Sequence, residues 1–434
     1  MGFTGIFYTL FLISMLIVAF NVLPVEANPE VITVPDEYFS IQEAINNSKP
    51  EDTIFVKSGI YFECIVVDKN GLRLVGENKD TTIIDGCGAG ITVYVEANNT
   101  VLNGFTIQNS GCNLTDSGIF LNHSFNSSIS NNKVSKNNLG IYLSSSPNCV
   151  LRNNNMTGNK YNFGVSGHNL QDYIHDIDVS NIVDGKPVIY WVNQANKQPP
   201  ANAGYVAIVN STKITVENLT LTKNWQAVLY AYTTNSTIKN VTVTINMDGI
   251  WLIECSSCSI YGNNISENNW GGIALVNSSF CSVQCNNLNN NIGYGIFLSY
   301  SSDNIFYNNN LNNNKRQAWL YGVNNNVWDA GNVIGGNYWS DYNGTDEKSG
   351  QYQDENGPDS IGDTSYIIDS DNKDRYPLMK PRINPPPEAP PRNTVLYVIT
   401  GIGIIVIIML VIGTYLLKHR KRSPTVGSIQ GPEA

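Results

Sequence analysis

Cys255-x-x-Cys258 followed by Cys281-x-x-x-Cys285 sets four thiols at intervals close to those of a zinc site. A second group, Asp172, His175, Asp176 and Asp178 with Tyr190 and Trp191, falls in the segment 168–204. It offers carboxylates, an imidazole and flat rings to a polar ligand. A third, Asp354, Asp359, Asp363, Asp369 and Asp371 among Gly and Asn, supplies the hard oxygen ligands that Ca2+ takes, without the spacing of an EF-hand loop. Cleavage of polysaccharide needs paired carboxylates, often with Arg or Ca2+. Over 204–314 the acids are only scattered, Asp248, Glu254, Glu267 and Asp303 among them.

What positions these groups is a repeat. Gly118, Gly140, Gly249, Gly272 and Gly295 are each followed by Ile and, two residues later, by Leu, as in Ile119-x-Leu121 and Ile296-x-Leu298. Fourteen residues past each glycine stand Asn132, Asn154, Asn263, Asn286 and Asn309; nineteen past it stand Asn137, Asn159, Asn268, Asn291 and Asn314. A period of 22 or 23 residues means a solenoid, and Ile-x-Leu has the two-residue period of a strand. Three short strands per turn make a coil of a parallel β-helix. Asn suits its corners, because it tolerates left-handed backbone and its amides can stack from coil to coil. The expectation is an all-β parallel β-helix of about twelve coils over 53–340, with "DEYFSIQEAI" as a helical cap within 28–52 and an acidic cap over 341–380.

The repeat reinterprets the candidate chemistry. Cys258 and Cys281 share one column on adjacent coils, with Cys149 in the same column, so a thiol ladder or a disulfide is preferred to a zinc site; free thiols stay open. Segment 168–204 breaks the repeat and must loop out or form a side hairpin; it carries a binding face or covers a strand edge. The position between Ile and Leu points outward and reads Phe120, Tyr142, Trp251, Ala274 and Phe297, an aromatic stripe suited to the faces of sugars. The acidic residues near the end serve equally well as solvated loops of a cap.

The two ends carry addresses rather than fold. Residues 1–27 read as a secretory signal peptide, and Val395–Leu417 as a transmembrane helix followed by the basic Lys418-His419-Arg420-Lys421-Arg422, which places the tail 418–434 in the cytoplasm. A Pro-rich linker at 381–394 lifts the outward-facing body from the membrane. A net charge of -10 gives no footprint for nucleic acid. Sequons from Asn46 to Asn343 are possible glycan acceptors.

The Gly-Ile-x-Leu and Asn columns, the opening "ITVPDEYFSIQEAI" and the closing "GNYWSDYNGTDE" with "DSIGDTSYIIDSDNKDRYPL" resemble the NosD-type right-handed β-helix proteins, and with the anchor they look most like archaeal cell-surface members. The resemblance implies a pectin-lyase-like fold, found in carbohydrate-binding and sugar-hydrolase proteins; it fixes fold rather than activity. Copper delivery, the namesake role, needs soft or imidazole ligands, and the body holds only His123, His168 and His175 with no Met/His cluster.

The sequence therefore points to a membrane-anchored, extracellular β-helix that binds polysaccharide or an envelope protein, with no required cofactor and Ca2+ as the ion it would take if any. Two other functions are carried: a polysaccharide lyase or glycoside hydrolase, and a copper-maturation accessory protein.

Overall fold

The computed structural model describes residues 28–382; the expected signal peptide, nearly all of the Pro-rich linker, the expected transmembrane helix and the tail lie outside the described residues. What is described is a parallel β-solenoid of about thirteen turns, one more than the repeat suggests. Coil stacks on coil in register, with Ile119 beside Ile141 and Leu121 beside Leu143, and again Ile250, Ile273 and Ile296 in one row. All of these are fully buried, as the two-residue period requires.

The Asn columns are the inner corners. Asn263 donates its amide to Asn286 at 2.9 Å, Asn286 to Asn309 at 2.9 Å, and Asn309 to Asn337 at 2.8 Å. A second ladder runs from Asn246 through Asn268 and Asn291 to Asn314. Each amide also donates to a backbone carbonyl of an earlier coil, as Asn286 does to Ile260. Rungs within a ladder thus have both side-chain atoms partnered, which is the condition for burying them; the end rung Asn224 leaves its Oδ1 without a partner. The glycine column needs the missing side chain: a Cβ at Gly249 would lie 2.4 Å from the carbonyl oxygen of Gly272 on the next coil.

At the N-terminal end a helix, Ile41–Asn47, buries Ile41, Ala44 and Ile45 in the core. Its Gln42 amide both donates to the Val66 carbonyl and accepts from the Val66 N–H at 2.7 Å, filling the place of a neighbouring strand. At the other end Trp328 stacks on Phe306 at 4.3 Å and Trp339 on Tyr366 at 4.2 Å. Asp374, fully buried, accepts from Asn337 N and Trp339 Nε1.

The stack is not continuous. After strand Ile182–Val183 the two residues Asp184 and Gly185, with φ of 45° and 80°, turn the chain into strand Lys186–Val192, which pairs antiparallel. That is the backbone of a type I′ hairpin. Strand Tyr205–Val209 then pairs parallel with Lys186–Val192 and the coils resume, all within one thirteen-stranded sheet. Reversing the strand direction while the sheet continues exchanges its inner and outer faces. Val183, Val188 and Tyr190 belong to the first core, while Ile189, Val206, Ile208 and Val228 belong to the second. The two stacks thus lie on opposite faces of one shared sheet, and Tyr205–Val209 is buried on both. Segment 168–204 is the hinge of this reversal.

Candidate functional site

In the second stack the column between Ile and Leu continues, register by register, from Tyr190 through Ala207, Leu229, Trp251, Ala274 and Phe297 to Trp319. Its first three members are sealed in the first stack's core. Trp251 is partly covered by that core, Phe297 is half-buried, and Trp319 is 40% exposed. A core column therefore emerges as a surface shelf. Phe297 lies 5.1 Å from Tyr294 and 5.2 Å from Trp319 between ring centroids, and the Arg316 guanidinium sits 5.0 Å from the Trp319 ring. Beside them Tyr300 and Tyr321, both 58% exposed, meet edge to face. Arg316 has no carboxylate partner among the described residues.

The outward stripe expected from Phe120, Tyr142, Trp251 and Phe297 is divided. Phe120 and Tyr142 are on a different sheet, where the ring sequence Tyr94, Phe120, Tyr142 ends against Trp225 of the second stack. Tyr142 is only 7% exposed. These rings seal the seam between the stacks, and Trp251 and Phe297 remain with the shelf. The division follows from the face reversal, which one repeat column cannot report.

Segment 168–204 divides its acids between a buried turn and an ion-pair cluster. Asp172 is buried and accepts from the N–H groups of His168 and Asn169, capping a short 3-10 turn. Asp176 and Asp178 converge on Arg152, at 2.5 and 3.3 Å, as an exposed ion-pair cluster. Trp191 is half-buried with Lys197 Nζ 5.6 Å from its ring. His175 is buried against Tyr190, with neither ring nitrogen hydrogen-bonded. Burial holds its pKa down to about 4, so the ring is neutral.

The acids near the end are spent on turns. Asp363 accepts from Glu347 N, Lys348 N and Thr345 Oγ1, Asp359 from Ile361 N, and Asp369 from Asp371 N and Asn372 N. Asp371 accepts from Ser370 Oγ, and Asp354 stands exposed apart from them. Among the described residues there is no group of three or more His, Cys, Asp or Glu able to hold a metal ion. Cys258 and Cys281 stand beside one another on adjacent coils, buried, and are thiols in this structure; contact between them pushes the Cys281 thiol pKa up.

One acid on the outer face, read in the sequence only as one of the scattered carboxylates, has a partner. Asp248 heads its strand, fully enclosed, and accepts at 3.1 Å from the Tyr294 hydroxyl two coils on. Burial pushes its pKa up to about 8, with the Tyr294 hydrogen bond opposing, so it is protonated at neutral pH. The signal in the sequence is faint: Asp248, Gly271 and Tyr294 share one register column, with a gap at the middle position.

A reversed double solenoid with an aromatic shelf defines a β-helix protein of the repeat class. The chain belongs to the NosD family, described as periplasmic copper-binding protein, whose pattern it matches over residues 36–176 and again over 173–344. The two matches meet just before the hairpin that separates the stacks. No curated protein matches the chain. Among solved structures it is similar to an alginate lyase from Paenibacillus sp. str. FPU-7 (11% identical, covering 59% of this chain and 94% of that one, TM-score 0.32). It is also similar to the catalytic domain of a GH87 alpha-1,3-glucanase (14%, 71% and 71%, 0.35). A third is the A-module of the Azotobacter vinelandii mannuronan C-5 epimerase AlgE6 (15%, 66% and 92%, 0.30). Copper finds no matching donor set among the described residues: His123 and His168 are exposed and ungrouped, and His175 is a core ring.

Proposed function

We propose that this protein is a membrane-anchored, outward-facing solenoid that binds polysaccharide on the outer face of its shared sheet. Residues 1–27 direct export, 395–417 anchor the chain, and the basic tail remains in the cytoplasm. The helix Ile41–Asn47 caps the first stack, with Gln42 blocking the strand edge against further pairing. The observation that carries the reading is the emergence of Phe297 and Trp319 from a core column into solvent, in contact with Tyr294 and topped by Arg316. Flat rings in a row match the apolar faces of successive sugar units, and an exposed apolar patch of this kind marks a contact surface.

The test is retention of the full-length protein, purified in detergent, by a panel of envelope and plant polysaccharides in affinity gels, with and without Ca2+. Wild type is retained and the double variant Phe297→Ala, Trp319→Ala is not; equal migration of both on every polysaccharide refutes the reading.

A lyase or hydrolase is the second reading, favoured by the protonated Asp248 near the same face. Hydrolysis requires a partner carboxylate, and the side-chain hydrogen bond of Asp248 among the described residues is to Tyr294. Mass spectrometry of the same incubations decides it, since new oligosaccharides would establish catalysis.

A further inference from the structure

Where the two stacks meet, a cavity of about 460 Å³ opens between Lys160 and Tyr161 of the first and Ile245, Glu267, Asn290 and Ile292 of the second. Its size is that of a small-ligand pocket. We propose that this cleft is a second sugar site, shaped for a pyranose ring that carries an acetamido group. The inference rests on the carbohydrate reading above but concerns a separate surface.

The first argument is conformational. Ile245 has φ 59° and is the one β-branched residue in the left-handed region among the described residues. Other coils place Lys136, Gly158, Lys223, Glu267, Asn290 or Asn313 at this corner, all with positive φ. A branched Cβ is the least suited to it. Packing does not compensate, because Ile245 is 51% exposed, and Ile292 across the cleft is 59% exposed. Two bare isoleucines, one of them held at a conformational cost, line the same cavity. Strain kept in this way at a concave surface points to a contact the isolated chain does not make.

The second argument is the polar complement. Lys160 Nζ lies 5.3 Å from the Tyr161 ring and has no carboxylate partner, and the Glu267 carboxylate has no cation partner among the described residues. Opposite charges face one cavity without joining. An acetamido group fits between them: its N–H donates to Glu267, its carbonyl accepts from Lys160, and its methyl rests on Ile245 and Ile292. Asn290 is left for a ring hydroxyl, and Tyr161 borders the pocket.

The test is calorimetric titration of the full-length protein with N,N′-diacetylchitobiose and, as the control lacking acetamido groups, cellobiose. Saturable binding of the first, at least about tenfold tighter than the second, is expected. Ile245→Asn suits left-handed backbone, so it folds with an unchanged or raised melting temperature while binding falls about tenfold; Glu267→Gln weakens binding comparably. Equal binding of the two disaccharides, or full affinity in both variants, overturns the proposal. If wild type is retained by polysaccharide yet ignores the disaccharide, this inference alone falls. If it does neither, the polysaccharide reading falls with it.

Discussion

Tyr294 reaches back across Gly271 to hydrogen-bond Asp248, joining two coils that are not neighbours. The bridge exists because position 271 has no side chain: a Cβ there would lie 1.8 Å from Tyr294 Cε2. Gly271→Ala must therefore expel the ring and leave a buried carboxyl without its donor. A loss of about 2–4 kcal/mol is expected in denaturant unfolding, against about 1–3 for Tyr294→Phe, which removes only the hydroxyl.

The same acid sets a dependence on pH. The folded pKa of Asp248 is raised to about 8 from an ordinary value near 3.8, so folding takes up a proton between those values. Its contribution to stability is complete below about pH 4, declines as pH rises, and is gone above about 8. The slope approaches about 1.4 kcal/mol per pH unit in that window. Asp248→Asn removes it, so the variant gains on wild type from pH 5 to pH 8 in urea unfolding; parallel curves would contradict the assignment.

His175 acts in the opposite direction. Its folded pKa is lowered to about 4 from 6.5, so protons bind the unfolded chain first and stability is lost as pH falls through that interval. His175→Phe keeps a ring against Tyr190 and deletes two unpartnered buried nitrogens. It should melt at or above the wild-type temperature at pH 7 and clearly above it at pH 5.

The Asn ladder is testable at one rung. Asn286 donates to Ile260 and Asn309 and accepts from Asn263. Asn286→Leu keeps the branched shape, crowds the corner and removes the side-chain partner of the Ile260 carbonyl and of the Asn263 N–H groups, for an expected cost of about 3–5 kcal/mol. The corresponding change at exposed Asn290 should cost less, about 1–2 kcal/mol, set by its left-handed backbone rather than by lost partners.

The columns of the repeat were legible because coil stacking turns sequence period directly into contact: Ile296, Leu298, Asn309 and Asn314 are where the period puts them. The reversal was half legible. Asp184-Gly185 between apolar pairs is a hairpin signal, and the break in the repeat allows either a loop or a side hairpin, but its effect on which face is interior depends on the sheet it joins. Hence Phe120 and Tyr142 were assigned to one stripe with Trp251 and Phe297. The Asp248 to Tyr294 contact spans 46 residues and depends on a vacancy between them, which residue type alone does not announce. His175 read as a polar ligand because burial is invisible in a single residue.

The shared sheet also decides what gene duplication can do to this protein. A coil copied before Asp184 adds length to the first core and moves the hinge with it. A coil copied after Ile253 leaves the hinge in place and adds one more outward position to the column of Trp251, Phe297 and Trp319. A longer shelf of outward rings can thus arise by unequal crossing-over in one part of the gene, while added coils in the other part only lengthen a packed interior.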